Sequence, residues 1–426
     1  MSSKIFESKL LGEKYHRIEH SSGLTVFVYP KENIRSTYAV FGTKYGAIDR
    51  CFKRMDEAEV QETPAGIAHF LEHKLFDGAD GDASAEFAKL GAFANASTSF
   101  ETTKYLFSCT ENYTEALEIL LNFVQSPYFT KETIQKEIGI ISQEIKMYED
   151  NPHWRLMRNT FGALFQNHPV KESIAGTVES ILKITPQHLY HCYETFYDLS
   201  NMILCVAGSC TVDEVLSVCD KTLKCSNGIA AERVFENEPD EVASKRVEEA
   251  LQVSIPMFQL GFKERIRSDY RTEKEFAAAE ILLEILASDS SPLYRCLLDA
   301  NLINEASFSN TYFECNGCAA VIFGGESNDP DAVCEEIRKE IRKIKCEGVS
   351  DEDVRRAARS LYGANIYGLN NPEVLANAVM SMEFSGREMF RYIESFRDIT
   401  ADDVNARIDD IFDEDRMSVS IAWPTN

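Results

Sequence analysis

A similar succession of strand and helix patterns runs twice along this chain of 426 residues, once on each side of a polar, acidic stretch from 225 to 249. In each half, short β-rich runs are followed by long stretches with apolar residues at helical spacing. The stretch between them has no sustained periodicity and contains the turn-forming pairs Asn227-Gly228 and Glu238-Pro239. The pattern predicts an α+β chain with two homologous domains, 1–235 and 236–426, each an antiparallel or mixed sheet with helices packed on one face.

The second half is expected to end in one last helix and a terminal strand from Met417 to Trp423. In the first half, the longest predicted helix covers 131–149 and carries Ile134, Ile138, Ile141 and Ile145 at spacings of three and four. One face of this helix is therefore expected to be buried.

The balance of charge limits the partners that this chain can bind. The chain has 44 Lys and Arg against 69 Asp and Glu, which gives a formal net charge of −25. Such a field repels a nucleic-acid backbone and an anionic membrane surface, so neither is expected as a partner. The first twenty residues lack the apolar core of a signal peptide, and no window approaches the ~18 apolar residues of a membrane span. A soluble, unexported protein is predicted.

Cysteine usage favours a reducing compartment. Twelve cysteines are scattered through the chain, and Cys315 and Cys318 form the single close pair. An unexported chain with this distribution is expected in the cytoplasm, with its thiols reduced. The pair could be a redox or metal site, but no second CxxC and no downstream histidine accompany it. We therefore predict that the two thiols are structural.

The strongest chemical pattern is His69-x-x-Glu72-His73, which lies in a segment with helical spacing that starts at Pro64 and stops at Asp77-Gly78. Positions i and i+4 share one face of a helix, so both imidazoles can reach one Zn²⁺ while Glu72 lies beside a bound water. The alternative is that the three groups are core residues satisfied by local hydrogen bonds. Burying three ionisable groups on one apolar face is costly without a common role, so a hydrolytic zinc site is favoured.

A catalytic zinc needs a third protein ligand and an open position for water. Glu137 and Glu144 lie two helical turns apart on the predicted helix, both beside its isoleucine face. Either could bind the metal while the other orients a ligand, and by themselves both could be solvated surface residues. A second stripe formed by His188, His191 and Glu194 is more typical of a solvated helix face than of a metal site.

Several blocks in the same order are similar to the pitrilysin/insulinase family of inverzincin metallopeptidases. They are the segments 63–73 and 95–105, the pair Glu137 and Glu144, Trp154-Arg155, and 290–294. The chain resembles the half-size, two-domain bacterial members related to the beta subunit of mitochondrial processing peptidase. The resemblance spans the whole chain and is strongest from Thr63 to Trp154.

The resemblance implies a role for each matching residue. His69, His73 and Glu144 would hold one Zn²⁺, Glu72 would be the general base, and Glu137 would support the site. Asn95 and Ala96 would lie on a strand edge to which an extended substrate peptide adds its own backbone hydrogen bonds. Phe76 and Trp154 are expected to line the same cavity, although packing within the core is an equally good explanation for both aromatic side chains.

One part of the family pattern is missing. The family uses an Arg and a Tyr, seven positions apart in the second half, to stabilise the developing oxyanion. Leu298 and Glu305 occupy the corresponding positions, while Arg355 and Tyr362 have the right separation but fall on a later predicted helix. We therefore expect a zinc-dependent endopeptidase that acts on peptide substrates as the zinc subunit of a heterodimer, with a homologous zinc-less chain supplying Arg and Tyr. The alternative is a non-catalytic, maturation or assembly subunit of the same family.

Overall fold

The computed structural model describes residues 2–78 and 81–425. The chain packs into two compact units that are described separately here. Unit 1 is built from the described parts of Met1–Ile145, Ser173–Phe235 and Ile366–Phe390, and unit 2 from those of Lys146–Glu172, Glu236–Asn365 and Arg391–Asn426. Two segments therefore depart from the order of the sequence. Segment 146–172 belongs to unit 2, and segment 366–390 belongs to unit 1. The contiguous domains 1–235 and 236–426 remain a prediction.

Strands supply the framework of both units. In chain order, they are β1 (Ser2–Ser8), β2 (Glu13–Glu19), β3 (Thr25–Pro30), β4 (Thr37–Thr43), β5 (Cys51–Arg54), β6 (Gln61–Glu62), β7 (Asp77–Gly78), β8 (Gly81–Asp82), β9 (Phe93–Thr98), β10 (Thr103–Cys109), β11 (Met202–Gly208), β12 (Ala231–Arg233), β13 (Arg246–Leu251), β14 (Met257–Lys263), β15 (Ser309–Cys315), β16 (Cys318–Glu326) and β17 (Met417–Pro424).

The helices follow the apolar stripes of the sequence. In chain order, they are α1 (Ile67–Phe76), α2 (Ala83–Lys89), α3 (Tyr113–Val124), α4 (Lys131–Asp150), α5 (Pro152–Leu164), α6 (Val178–Ile181), α7 (Pro186–Phe196), α8 (Val212–Thr222), α9 (Glu273–Ala287), α10 (Pro292–Asp299), α11 (Pro330–Glu347), α12 (Asp351–Gly368), α13 (Pro372–Phe384), α14 (Met389–Ser395) and α15 (Ala401–Ile411). Among residues 2–78 and 81–425, no helix is both long and apolar enough to cross a membrane.

The main sheet of unit 1 has the strand order β1-β2-β3-β11-β4-β10-β9. Neighbouring strands in this sheet run antiparallel, except for β3 and β11, which run parallel. Every residue of β4 and β11 is buried, so both faces of the centre of the sheet are covered. Helix α3 packs against β4 and β10, and α13 packs against β3, β4 and β11. The exchanged segment that carries α13 thus adds a layer to unit 1 that a pattern along the chain does not reveal.

The sheet of unit 2 has the order β13-β17-β14-β16-β15, again with one parallel pair, β13 and β17. This matches the order β3-β11-β4-β10-β9 of unit 1, strand for strand and direction for direction. Helix α5 packs on β13, β14 and β17. The predicted α+β class with mixed sheets is confirmed, and the repeated topology agrees with the repeated sequence pattern.

Two parts of the chain are more structured than expected. Residues 2–19 form the hairpin of β1 and β2, and three helices (α13, α14 and α15) occupy the region where one last helix was expected. Short elements separated by turns give weak periodic signals, because each contributes only two or three turns of pattern. The prediction of a single last helix was wrong for this reason.

Candidate metal centre

Helix α1 presents the two histidines of the motif side by side. Its apolar residues Ile67, Phe70 and Leu71 are buried and fix the orientation of the helix in unit 1. His69 and His73 lie one turn apart on one face, with ring centroids 4.6 Å apart. His69 is buried and His73 is half-buried. The i, i+4 geometry expected from the sequence is present, and both imidazoles face the same point.

The approach of the chain to α1 requires a glycine. Gly66 precedes the helix with φ +87°, and a Cβ added there would lie 2.4 Å from the carbonyl oxygen of Ala175. The segment that ends in Gly176 therefore packs directly against the start of the helix that carries both histidines.

We expect Gly66→Ala to lower the free energy of unfolding by about 2–5 kcal/mol. The alanine would have to adopt a left-handed backbone conformation, and its Cβ would also clash with the backbone of Ala175. Urea unfolding followed by circular dichroism measures this change. The matched control is Gly139→Ala, in the exposed interior of α4, where nothing lies within 4 Å of an added Cβ. That variant should be stabilised by up to about 1 kcal/mol. Equal effects of the two substitutions would contradict the close packing at Gly66.

Helix α4 brings both predicted glutamates to α1. Its buried face consists of Ile134, Glu137, Ile138, Ile141 and Ile145. Glu137 is 7% exposed, as low as a core residue. Glu144 is half-buried at the edge of the same face. A purely solvated pair of glutamates, the alternative that the sequence left open, does not fit this burial.

The two glutamates meet different atoms of the histidines. The Glu144 carboxylate faces both Nε2 atoms, at 3.6 Å from His69 and 3.2 Å from His73. Glu137 instead accepts a hydrogen bond from Nδ1 of His73 at 3.0 Å. One ligand atom each from His69, His73 and Glu144 lies within 4.8 Å of the others. Glu144 therefore completes a cluster, and Glu137 orients a ring of that cluster from behind.

The donor set fits zinc. Two imidazole nitrogens and one carboxylate oxygen form a typical catalytic zinc set, and ligands about 2.0–2.1 Å from a tetrahedral ion lie roughly 3.3–3.4 Å from each other. The contacts of Glu144 with the two Nε2 atoms, at 3.6 and 3.2 Å, bracket this separation. The separations between Glu144 and the two histidines therefore fit an ion held by these three side chains.

Electrostatics at the cluster favour a cation. Burial disfavours the charged form of the His73 imidazole, but hydrogen bonds with Glu137 and Glu144 and the nearby Glu72 charge outweigh it and raise the pKa of His73 to about 10. The carboxylates thus stabilise positive charge at this point. A metal ion bound there would take the place of that proton.

Glu72 is held beside the cluster by a residue that the sequence analysis did not single out. The Thr98 hydroxyl, at the end of β9, donates a hydrogen bond to the Glu72 carboxylate at 2.5 Å. Thr98 also lies 3.5 Å from the Thr103 hydroxyl on β10. The alternation of β9 could have indicated Thr98, because it shares a sheet face with Ala96.

The strand that carries Asn95 and Ala96 is the last one of its sheet. Among the described residues, β9 pairs with β10 alone, in a register that sets Ala96 opposite Tyr105. Asn95 is exposed and its side-chain oxygen accepts the backbone N–H of Ala96 at 2.9 Å. The outer edge of β9 can accept a further extended strand.

The two predicted aromatic contacts lie in different units. Phe76 ends α1 in unit 1, where it packs against Phe123 at a centroid distance of 4.9 Å and lines a cavity of about 850 Å³. Trp154 belongs to α5 in unit 2, is 41% exposed and packs against Tyr148 at 5.1 Å. Among the described residues that line the Phe76 cavity, Trp154 does not occur.

The remaining candidate residues are placed as follows. Leu298 lies on α10, Glu305 follows that helix in a loop, and Arg355 and Tyr362 lie on α12. Within the described part of the chain, His188, His191 and Glu194 do not form a ligand cluster, and His191 instead packs on Phe52 and faces Glu57.

Two family models match this chain. Residues 59–178 match the model described as Insulinase (Peptidase family M16), and residues 183–361 match the one described as Peptidase M16 inactive domain. YmfH of Bacillus subtilis strain 168, named an uncharacterized zinc protease, is 39% identical over 430 residues, which cover 99% of each protein. An Arabidopsis thaliana protein named as a mitochondrial-processing peptidase subunit beta is 25% identical over 361 residues, which cover 81% of this chain and 66% of that protein.

Solved structures give the same picture. An M16-like peptidase from Alicyclobacillus acidocaldarius is 33% identical and superposes with a TM-score of 0.92, covering 99% of this chain and 100% of the other. A protease from Helicobacter pylori, at 19% identity, shares the fold with a TM-score of 0.82 over 97% of this chain and 100% of that one.

Proposed function

We propose that this chain, which belongs to the insulinase (M16) family of peptidases, is a zinc-dependent endopeptidase that cleaves peptides or unfolded precursor segments. The family resemblance predicted from the motifs is confirmed. Members named zinc proteases support zinc and peptidase chemistry at the level of the family. The observation that supports the finer proposal is the meeting of His69, His73 and Glu144 within 4.8 Å, beside Glu72.

In this proposal, His69, His73 and Glu144 hold one zinc ion per chain, and Glu137 fixes the His73 ring by its hydrogen bond to Nδ1. Bound zinc would lower the pKa of a water toward about 7 and polarise the scissile carbonyl. Glu72 accepts the proton of the attacking water at its carboxylate and passes it to the leaving amine nitrogen. Thr98 keeps that carboxylate in place by donating its hydroxyl hydrogen.

Substrate recognition is proposed at the edge of β9. An extended peptide that pairs with Asn95 and Ala96 is held by backbone hydrogen bonds, which tolerate many side chains. Phe76 and Trp154 are proposed as further substrate contacts. We place the enzyme in the cytoplasm, as the cysteine usage favours, without a nucleic-acid or membrane partner.

We propose that the active form is a heterodimer. Leu298 and Glu305 stand where the family has its Arg and Tyr, and neither can donate hydrogen bonds to an oxyanion as those residues do. A homologous zinc-less chain would supply the missing pair. A non-catalytic assembly or maturation subunit remains the second candidate, because a chain without the Arg and Tyr at these two positions need not be catalytic.

We expect the purified chain to bind zinc but to cleave a mixed quenched-peptide library slowly, and the homologous zinc-less chain to raise kcat/KM by about 10²- to 10³-fold, the usual contribution of an oxyanion donor. Zinc content by mass spectrometry and the cleavage rate, each with and without the second chain, test this directly. Full activity of the chain alone would contradict the heterodimer. Stoichiometric zinc without cleavage in either condition would favour the assembly subunit.

A further inference from the structure

Unit 2 contains a second cluster of reactive side chains, which the peptidase chemistry does not use. Cys315 ends β15 and Cys318 begins β16, and their Cα atoms are direct partners across the hairpin. Their Sγ atoms lie 2.7 Å apart. His168 approaches them from a distant part of the chain, with one ligand atom of each of the three residues within 4.8 Å of the others. All three side chains are buried.

His168 is held firmly against the hairpin turn. Its Nε2 donates to the carbonyl oxygen of Asn316 at 2.9 Å, and its Nδ1 accepts the backbone N–H of Val170 at 3.2 Å. The Glu238 carboxylate, paired with the buried Lys263 ammonium, accepts the backbone N–H of His168 at 2.7 Å. The ring therefore has one orientation, fixed at both nitrogens and at its backbone.

A metal site does not explain this arrangement. Two thiolates on a tetrahedral zinc, each about 2.3 Å from the ion, lie roughly 3.8 Å apart. The two sulfurs are more than 1 Å closer than that. Both ring nitrogens of His168 also already have backbone partners. A disulfide bond is about 2.05 Å long and joins Cβ atoms about 3.8 Å apart, so sulfurs on paired strands can form it with a small movement.

The electrostatic setting favours a reactive thiol. Burial disfavours the charged form of His168, but hydrogen bonding with Cys318 and with the Asn316 carbonyl outweighs it and raises the pKa of His168. The N–H of an imidazole next to a thiol stabilises the thiolate, which is the form that attacks disulfides. Burial by itself has the opposite effect on a thiol, because it disfavours the thiolate. For example, burial raises the pKa of the Cys192 thiol to about 12 and that of Cys334 to about 12.

We propose that Cys315 and Cys318 form a reversible dithiol–disulfide pair that exchanges with small disulfides, with His168 as the residue that positions the Cys318 sulfur. One thiolate attacks a disulfide R–S–S–R, its S–S bond breaks, and RS⁻ leaves with the proton that the thiol lost. The second thiolate then attacks the mixed disulfide and releases the second RSH. In this exchange, the protein loses two S–H bonds and gains one S–S bond, while the small disulfide loses its S–S bond and becomes two RSH molecules. Two electrons thus pass from the protein to the small disulfide. This site goes beyond the proposed peptidase function and does not depend on it.

The test equilibrates the full-length protein without oxygen in graded mixtures of reduced and oxidised dithiothreitol, starting from both the reduced and the oxidised protein. Both starting points are used so that slow access to buried thiols is not mistaken for lack of reaction. Acid quenching, alkylation and peptide mass spectrometry then count the thiols at each cysteine. We expect the peptide that carries Cys315 and Cys318 to lose both alkylated thiols in a single two-electron transition, while the buried Cys192 and Cys334 stay alkylated.

Three variants sharpen the result. In Cys315→Ser and in Cys318→Ser the remaining thiol should stay alkylated throughout. In His168→Gln the dithiol form loses the stabilisation that His168 gives to the Cys318 sulfur, so the disulfide becomes harder to reduce. The midpoint of the transition should therefore move to mixtures about tenfold richer in reduced dithiothreitol. The proposal is overturned if the pair stays reduced in fully oxidised dithiothreitol from both starting points. It is also overturned if Glu144→Gln protein retains a zinc ion that is lost when both cysteines are replaced by serine.

Discussion

Glu72→Gln should reduce kcat/KM for peptide cleavage by roughly 10²- to 10⁴-fold, the usual contribution of a general base, and leave the zinc content unchanged. The amide keeps the shape of the side chain and can still pair with the Thr98 hydroxyl, but it cannot accept the proton of water. Because Glu72 lies outside the cluster of His69, His73 and Glu144, the metal affinity has no reason to fall. Zinc analysis and initial rates on the same quenched peptide, in the presence of the homologous chain, measure both quantities.

The control for this variant is Glu59→Gln, which makes the same chemical change at an exposed loop position. It should keep the rate of the unchanged protein. Activity in Glu72→Gln above about a tenth of that rate would remove Glu72 from the proposed role, since a general base contributes far more than tenfold. Loss of zinc together with activity would instead indicate that Glu72 supports the metal.

Replacing a proposed metal ligand should have the second large effect. Glu144→Gln should abolish stoichiometric zinc and weaken zinc affinity more than 100-fold, because its carboxylate is the only charged group that faces both Nε2 atoms in the described cluster. Glu137→Gln should weaken the affinity by about 10- to 100-fold, as a residue that orients a ligand does. Competition with a coloured chelator gives both affinities.

The zinc affinities of Glu144→Gln and Glu137→Gln are compared with each other, and Glu149→Gln is the control. Glu149 lies on the same helix, is exposed, and should bind zinc like the unchanged protein. The reverse order of effects, with Glu137→Gln the more damaging, would assign the metal ligand to Glu137. That outcome would contradict the distances seen here and restore the choice that the sequence left open.

The fold class and the local geometry of the site follow from short-range patterns. A 3.6-residue period places His69 and His73 on one face of α1 and keeps the isoleucines of α4 on a buried face. The period-two alternation of β9 and β10 likewise gives their strands. These patterns depend on residues within a few positions of each other, which is why they can be read along the chain. The exchanged segments 146–172 and 366–390 have no such local signature.

By itself, the sequence determined the two-part α+β architecture, the pair of histidines and the glutamate beside them that is proposed as the general base. The residue pattern left open which of Glu137 and Glu144 faces the histidine nitrogens, and the family resemblance implied Glu144. In the tertiary structure Glu144 faces both Nε2 atoms, while Glu137 contacts Nδ1 of His73. The tertiary structure also brought Thr98 to Glu72 and placed His168 on a turn 148 positions away, beside the two cysteines for which the sequence predicts a structural role. Helix and strand periods act over a few residues, whereas these contacts form when packing of the core brings distant segments together.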